Sequence, residues 1–432
     1  MNSELVKWVF YAIPVLLIVV YAVYQSRKQA GNREILERAA AEGLTEPASL
    51  HPVIASHKCI GCASCITACP EGNVLGLIDG KSQLINPSHC IGHGACKTAC
   101  PVDAITLVFG TAKRGVDIPI VKPDFQTNVA GIYIAGELGG MGLIRNAVEQ
   151  GRQAMESIIS NKSGSGDYDV IIIGAGPAGF SATLKAKEAG LKCLTIEQES
   201  LGGTVFHFPR GKVVMTQPMQ LPIIGKVKIK ETTKEALLKM WQEIEEKTAI
   251  VINYRENMLS ISAIDNGFEV KTDKGSYTTA KILLAIGRRG TPRKLNVAGE
   301  ELPKVVYRLI DPEQYKGQHV LVVGGGDSAL EAATSIAEFE DSTVILSYRS
   351  EAFSRAKEKN RQKVKQAEEA GRLQVMYKSN VKMIHNNSVV IEQEGMEIEF
   401  NNDAVIVSAG GILPTPMLKD MGINIETKYG TE

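Results

Sequence analysis

A chain of 432 residues exceeds one small domain and provides for about two or three compact units, each with its own core. Apolar residues at 44% and charged residues at 22% describe a globular chain and exclude long-range disorder, and 41 glycines point to many tight turns. Lys plus Arg equals Asp plus Glu at 48 each, so no net field holds nucleic acid or an anionic surface non-specifically.

From Trp8 to Tyr24 no residue is charged, and Trp8, Tyr11, Tyr21 and Tyr24 stand near the two ends as interfacial aromatics do. The stretch reads as one N-terminal transmembrane helix, residues 1–28. The competing reading is a cleaved secretory signal, but Glu4 interrupts a basic start and Ala22-Val23-Tyr24 is no small-x-small cleavage site. Arg27, Lys28 and Arg33 follow the span while Lys7 precedes it. That bias leaves the N-terminus outside and the rest in the cytoplasm, on the inner membrane. Pro14 lies mid-span, where a single anchor tolerates a kink. Residues 29–56 read as a juxtamembrane helix, Arg33 to Glu42, and a proline-containing linker.

Seven of the eight cysteines lie between Cys59 and Cys100. Cys59-x-x-Cys62-x-x-Cys65-x-x-x-Cys69-Pro70 is the bacterial iron–sulfur spacing, and Cys90-x-x-His93-x-x-Cys96-x-x-x-Cys100-Pro101 repeats it with histidine at the second position. Disulfides fit poorly, since the count is odd and the compartment reducing; structural zinc would need two sites of this spacing. Residues 57–110 resemble the two-cluster bacterial ferredoxin, an α+β fold with two [4Fe–4S] clusters. The resemblance implies crossed ligation: Cys59, Cys62, Cys65 and Cys100 on one cluster, Cys90, Cys96 and Cys69 with His93 on the other. A ligating His93 is neutral where a thiolate is negative, so it would raise that cluster's potential; otherwise the second cluster is [3Fe–4S] or solvent-ligated.

Two dinucleotide units follow. Val170-Ile171-Ile172-Ile173 runs as a strand into Gly174-x-Gly176-Pro177-Ala178-Gly179 and a helix through Lys187, with Glu197 ending the next strand, Cys193 to Ile196, at the spacing for ribose hydroxyls. His319 to Val323 leads into Gly324-x-Gly326-Asp327-Ser328-Ala329 and another helix. Two such units suit FAD and a nicotinamide. After the strand Val344 to Ser347 no acid appears; Arg349 and Arg355 suit a 2′-phosphate, which favours NADPH over NADH, although Glu351 stands nearby and solvated arginines are the competing reading.

Over about three hundred residues the chain resembles the thioredoxin-reductase-like flavoproteins, nearest to the thioredoxin-reductase-type ferredoxin–NADP reductases. The supporting segments are Leu201-Gly202-Gly203-Thr204, Leu284-Ala285-Ile286-Gly287, Asp311-Pro312, Val322 to Ala329, and Val407-Ser408-Ala409-Gly410-Gly411. No cysteine follows Cys193, so the dithiol that reduces thioredoxin is missing, and Cys193 reads as packing in its strand. The segment that grips the flavin in that family, Gln126 to Gly136-Glu137, stands here before the first glycine motif, with Glu137 in place of an aspartate. This implies a circular permutation joined by a flexible linker, Ser160 to Gly166; the alternative is an unrelated connecting segment.

The expected α/β architecture has a permuted FAD segment at 115–160, an FAD-binding domain at 167–290, an NAD(P)-binding domain at 291–410 and a return at 411–432. FAD exchanges electrons in pairs with NAD(P)H and singly with iron–sulfur clusters. The expected function is electron transfer between NAD(P)H and a one-electron partner: a quinone-reducing subunit, a cytochrome or a ferredoxin. Hydride transfer through FAD demands no acid/base side chain. Two other readings are reverse flow to reduce NADP, and a membrane-tethered redox sensor without turnover. A homodimer is a family expectation.

Overall fold

The computed structural model describes residues 3–430 apart from 42–44, 46, 48–49, 91, 93, 113–114, 141, 162, 217, 230, 289 and 355; side chains through residue 11 and that of residue 215 are also outside the description. His93 and Arg355 therefore lie outside the described residues. The chain divides into two compact units, one built on Met1–Gly115 and the other on Val116–Phe353 with Lys359–Lys428.

The first unit begins with one helix, α1 (Ser3–Ala41), which contains Pro14. The separate span and juxtamembrane helix expected from sequence are thus continuous: no proline separates them, and Gly31 has open space around it. No helix among the described residues is long and apolar enough to cross a membrane, so the expected transmembrane helix is not met there; the apolar run Trp8 to Tyr24 is described by its side chains only from Ala12 onward. Next come α2 (Ser64–Ala68) and α3 (Ala95–Thr98). They are framed by His51–Ile54 paired antiparallel with Ile105–Val108, and by the hairpin Leu75–Ile78/Lys81–Leu84. The hairpin turns through Asp79 and Gly80, both at positive φ. Cys65, Cys90 and Cys96 are buried with Val74, Leu75 and Ile105, so the small core of this unit consists largely of the cysteines themselves.

In the second unit a sheet runs in the order Ile252–Tyr254, Cys193–Glu197, Tyr168–Ile173, Ser276–Leu284, Gly267–Thr272, Met258–Ile264. One side of Ser276–Leu284 pairs parallel with Tyr168–Ile173. Its other side pairs antiparallel with Phe268–Lys271 along the first half and parallel with Ile132–Ile134 along the second. The segment preceding the first glycine motif is therefore an integral strand of this sheet, not a connector. Helix α4 (Ile144–Ser160) packs on α5 (Pro177–Glu188), buries Ala147, Val148, Ala154, Met155 and Ile158, and approaches so closely that a Cβ on Gly151 would stand 2.0 Å from Ala178 O. Helix α6 (Lys234–Thr248) closes the opposite core with Trp241 fully buried.

The nicotinamide half has an all-parallel sheet in the order Val305–Val306, Ala404–Val407, His319–Val323, Thr343–Tyr348, Leu373–Tyr377, followed on the glycine side by α7 (Asp327–Ile336). Near the chain end Ile425–Lys428 pairs antiparallel with Val116–Pro119, and Lys428 faces Val116.

The expected flexible linker is instead packed. Ser165 N donates to Asn266 O at 2.7 Å, the buried Lys281 ammonium donates to Ser163 Oγ at 2.5 Å, and a Cβ on Gly166 would meet the Thr279 backbone at 2.6 Å. Its glycines serve close backbone approach rather than freedom.

A Gly151→Ala substitution should lower stability by about 1–3 kcal/mol or more, because backbone rather than a movable side chain occupies the space. Gly31→Ala, in the open, should stabilise α1 by up to ~1 kcal/mol. Thermal unfolding followed by circular dichroism checks both.

Candidate functional site

The second unit contains a cavity of about 620 Å³. Of the residues expected to bind a cofactor, Gly136, Glu137, Gly174, Gly176, Pro177 and Ala178 line it, as do Glu197, Gly203, Thr204 and Gly287. The three glycines of the motif have distinct local reasons. Gly174 stands at φ +101°, and a Cβ there would be 2.6 Å from Ala285 O; one on Gly179 would be 1.8 Å from Gly174 O, which is the strand–helix approach. Gly176 has its nearest neighbour at 3.9 Å and leaves the N-terminus of α5 open to the cavity. That opening suits a pyrophosphate. Gly202, at φ +111°, packs beneath the wall, where a Cβ would meet Leu238 at 2.5 Å.

Glu197 ends its strand with both oxygens engaged: Oε2 accepts from Ala175 N at 2.7 Å and Oε1 from Glu199 N at 3.0 Å. Burial pushes its carboxyl above the usual range while these amides oppose the shift. A carboxylate so held keeps further lone pairs, and Glu197 lines the cavity. Glu137 begins a short 3-10 turn that precedes α4. The half-buried Arg288 has its basicity lowered by burial, opposed by the charges of Glu137 and Asp117, and donates to Asp117 O at 2.9 Å. The residues present fit FAD: an open glycine turn, a ribose acid and a cavity that continues past Thr204 to Met417.

Sequence reasoning did not find the far wall. Glu199 and His207 meet Arg308 there: His207 Nε2 lies 2.7 Å from Glu199 Oε2, and Arg308 pairs with Glu199 at 3.1 Å. Tyr307 from the nicotinamide half and Ile412 and Leu413 from the return complete the wall. No spacing rule marks these residues, because they come from separate stretches of the chain.

The second glycine motif has the same backbone logic. Gly324 stands at φ +145° with a Cβ position 2.4 Å from Ser408 O, Gly326 has nothing within 4 Å, and Ala329 is buried as the third residue of the motif. Asp327 Oδ1 accepts from Asn360 at 2.7 Å, and Ser328 is exposed at the start of α7. Gly325 faces the Tyr348 ring, which stacks on Phe353 with centroids 5.4 Å apart. Arg349 is exposed at the end of Thr343–Tyr348, while Glu351 is paired with Lys378 at 2.9 Å.

In the first unit the cysteines fall into two neighbourhoods. Cys65 has its thiol raised chiefly by burial, with Cys59 and Cys62 as its charged neighbours. Burial pushes Cys90 up to about 11, and its cysteine neighbours are Cys96 and Cys69. Cys96 likewise has Cys69 beside it, followed by Cys65. Cys69 is thus a neighbour of both Cys90 and Cys96. Cys100 Sγ accepts from Ala104 N at 3.3 Å. No group of three or more His, Cys, Asp or Glu among the described residues converges as for a single metal ion. A cubane takes one thiolate on each iron and does not demand such convergence. The sulfurs also meet donors: Ser82 Oγ lies 3.2 Å from Cys65 Sγ, and Ser82 N donates toward Cys59 Sγ at 3.5 Å.

Residues 171–431 match the family described as pyridine nucleotide-disulphide oxidoreductase, and residues 51–101 match a 4Fe-4S dicluster domain. The chain thus belongs to the pyridine nucleotide-disulphide oxidoreductase family and is an FAD-dependent NAD(P)H oxidoreductase with an iron–sulfur domain. It is 30% identical over 277 residues to a ferredoxin–NADP reductase of Ignicoccus hospitalis, covering 60% of this chain and 83% of the relative. It is 27% identical over 266 residues to the bacilliredoxin reductase Bdr of Bacillus subtilis, covering 60% and 82%. The bacillithiol disulfide reductase Bdr (YpdA) from Staphylococcus aureus has the same fold, with a TM-score of 0.53 at 23% identity over 61% of this chain and 85% of that one.

Glu197→Ala should weaken FAD binding about tenfold or more, since hydrogen bonds to a charged group contribute roughly 1.5–3 kcal/mol; flavin fluorescence on titration reads it. Ser82→Ala removes a donor to a cluster sulfur and should lower the potential of one cluster only, read by redox titration with electron paramagnetic resonance.

Proposed function

We propose that the protein transfers electrons between NAD(P)H and a one-electron partner, through FAD and two iron–sulfur clusters, while tethered to a membrane by the apolar run of α1. The observation that carries this reading is the presence, in one chain, of a cavity suited to FAD and two distinct cysteine sets, with no cysteine after Cys193 to form a dithiol relay. FAD supplies the conversion between paired and single electrons. The chain's own residues bind and orient: Glu197 and the Gly176 turn at the adenosine side, with Gly136 and Glu137 lining the cavity beside the start of α5. Arg349, free of the Glu351–Lys378 pair, is the residue for a 2′-phosphate, and NADPH the preferred nicotinamide.

The early strand Ile132–Ile134 and the late strand Ile425–Lys428 support a circularly permuted flavin domain. Lys428 and Val116 face each other across an antiparallel pair, where a hairpin turn would join them in an unpermuted chain. Close ends of this kind are what permutation needs. The permutation leaves residues 1–115 covalently continuous with the flavin segment.

The tether rests on the uncharged run and on the exposure of its described part: Ile13, Val15 through Tyr21, Val23 and Tyr24 are all exposed. Arg27, Lys28 and Arg33 after it support a cytoplasmic side for the catalytic units.

Anaerobic stopped-flow with NADPH tests the reading: flavin absorbance should bleach, followed by the broad iron–sulfur absorbance. Failure of both to respond to either nicotinamide would favour a redox sensor. Clusters far below the nicotinamide couple would favour flow toward NADP. Arg349→Ala should raise KM for NADPH about tenfold while leaving NADH unchanged, the loss expected for one charge-assisted contact of roughly 1.5 kcal/mol.

A further inference from the structure

Three consecutive contacts in the first unit link α1 to one cysteine set. Residues 29–33 of the helix seat on the Leu75–Leu84 hairpin: Gln29 Oε1 accepts from Gly80 N at 3.2 Å, Asn32 Nδ2 donates to Leu77 O at 2.9 Å, and Arg33 pairs with Asp79 at 2.8 Å. A Cβ on Gly76 would meet the Asn32 side chain at 2.7 Å, so that side chain lies directly on the strand backbone. The same hairpin holds the first cysteine loop. Lys81 Nζ donates to Cys59 O at 2.5 Å, Ser82 reaches both Cys59 and Cys65 Sγ, and a Cβ on Gly61 would stand 2.2 Å from Gly80 O.

Helix α1 is unbroken across this seat, and its turns from Ala12 to Tyr24 are apolar on every side, with Ile18 66% exposed. A helix apolar all round calls for apolar surroundings all round. From Tyr24, the last residue of that run, to Gln29 is roughly 8 Å of helix at ~1.5 Å per residue. The hairpin and the Cys59–Cys65 loop are therefore held just beyond the apolar run by a rigid arm. The other set meets the hairpin through apolar packing, Cys90 and Cys96 against Leu75, and Cys90 Sγ lies 3.7 Å from Leu50 O, past the end of α1. In the first loop Cys62 is exposed and Ile60 between the ligands is 64% exposed, while Cys59 and Cys65 are buried.

We propose that the cluster held by Cys59, Cys62 and Cys65 is the membrane-side centre, and that the Lys58–Cys62 loop is the face on which a membrane-seated one-electron carrier docks. The inference rests on the proposed tether. Its occupant follows from the arm: Gly61 of this loop packs on the hairpin tip at Gly80, which Gln29 of α1 holds close beyond the apolar run, so a carrier in or on the bilayer is within reach, and the exposed Ile60 beside the cluster suits an apolar rim.

The test uses the full chain with FAD and clusters, in phosphatidylcholine vesicles carrying a headgroup-chelated gadolinium ion. Flotation with the vesicles is read first; a protein that stays in solution loses the tether and, with it, this inference. For a protein that floats, the signal shifted by Ser82→Ala identifies the Cys59–Cys65 cluster. At potentials where one cluster at a time is reduced, the relaxation rate of that signal should rise several-fold more than that of the other. Equal enhancement, or a larger one for the other signal, overturns the inference and leaves the tether standing. Docking is read separately, as the ratio of NADPH-driven rates to a lipid-tethered ferrocenium and to soluble ferricyanide. Ile60→Glu should lower this ratio several-fold, and an unchanged ratio overturns the docking face.

Discussion

The flavin half of this molecule depends on backbone-to-backbone packing around α5. On one side Gly179 lets the helix start lie against the strand end at Gly174; on the other Gly151 lets α4 lie against Ala178. Neither contact has room for a Cβ, and packed interiors give way little. The consequence is a fixed N-terminus of α5 with Gly176 open toward the cavity, which is where an anionic cofactor gains from the helix end. Burial of Ala182 and Ala186 along the same helix keeps this approach continuous rather than local.

That packing also explains how a segment from before the first glycine motif becomes part of the cofactor wall. Ile132–Ile134 takes the half of the Ser276–Leu284 edge that the antiparallel strand leaves, and its end delivers Gly136 and Glu137 to the cavity ahead of α4. Parallel pairing needs no sequence adjacency, only a long enough crossover. The buried Lys281 and its Ser163 partner tie down the crossover to Tyr168–Ile173, so the join between the two pieces is part of the fold.

In the iron–sulfur unit the limiting constraint is different. The core is small and made largely of cysteine, and burial raises Cys65, Cys90 and Cys96 toward their neutral thiols. Iron replaces those protons, so cluster binding and the folding of this unit are coupled. The Ser82 contacts give Cys59 and Cys65 sulfur donors of their own, which would raise the potential of a cluster these two cysteines hold.

Much of this was legible in the residues alone. The strands ending at Ile173, Glu197 and Val323, the two glycine turns and the cysteine runs are local devices whose spacing states their chemistry, and each is where spacing put it. The continuity of α1 was not legible, because the span and the helix after it differ in composition though not in conformation. The packed state of Ser160 to Gly166 was hidden for a related reason: glycine and serine read alike whether they loosen a chain or admit a neighbouring backbone. Local pattern thus determined the cofactor turns and ligand cysteines. Tertiary structure alone brought Glu199, His207 and Arg308 together, seated residues 29–33 of α1 on the Leu75–Leu84 hairpin, and set Lys428 opposite Val116, since contacts between residues far apart in the chain depend on packing that no short spacing encodes.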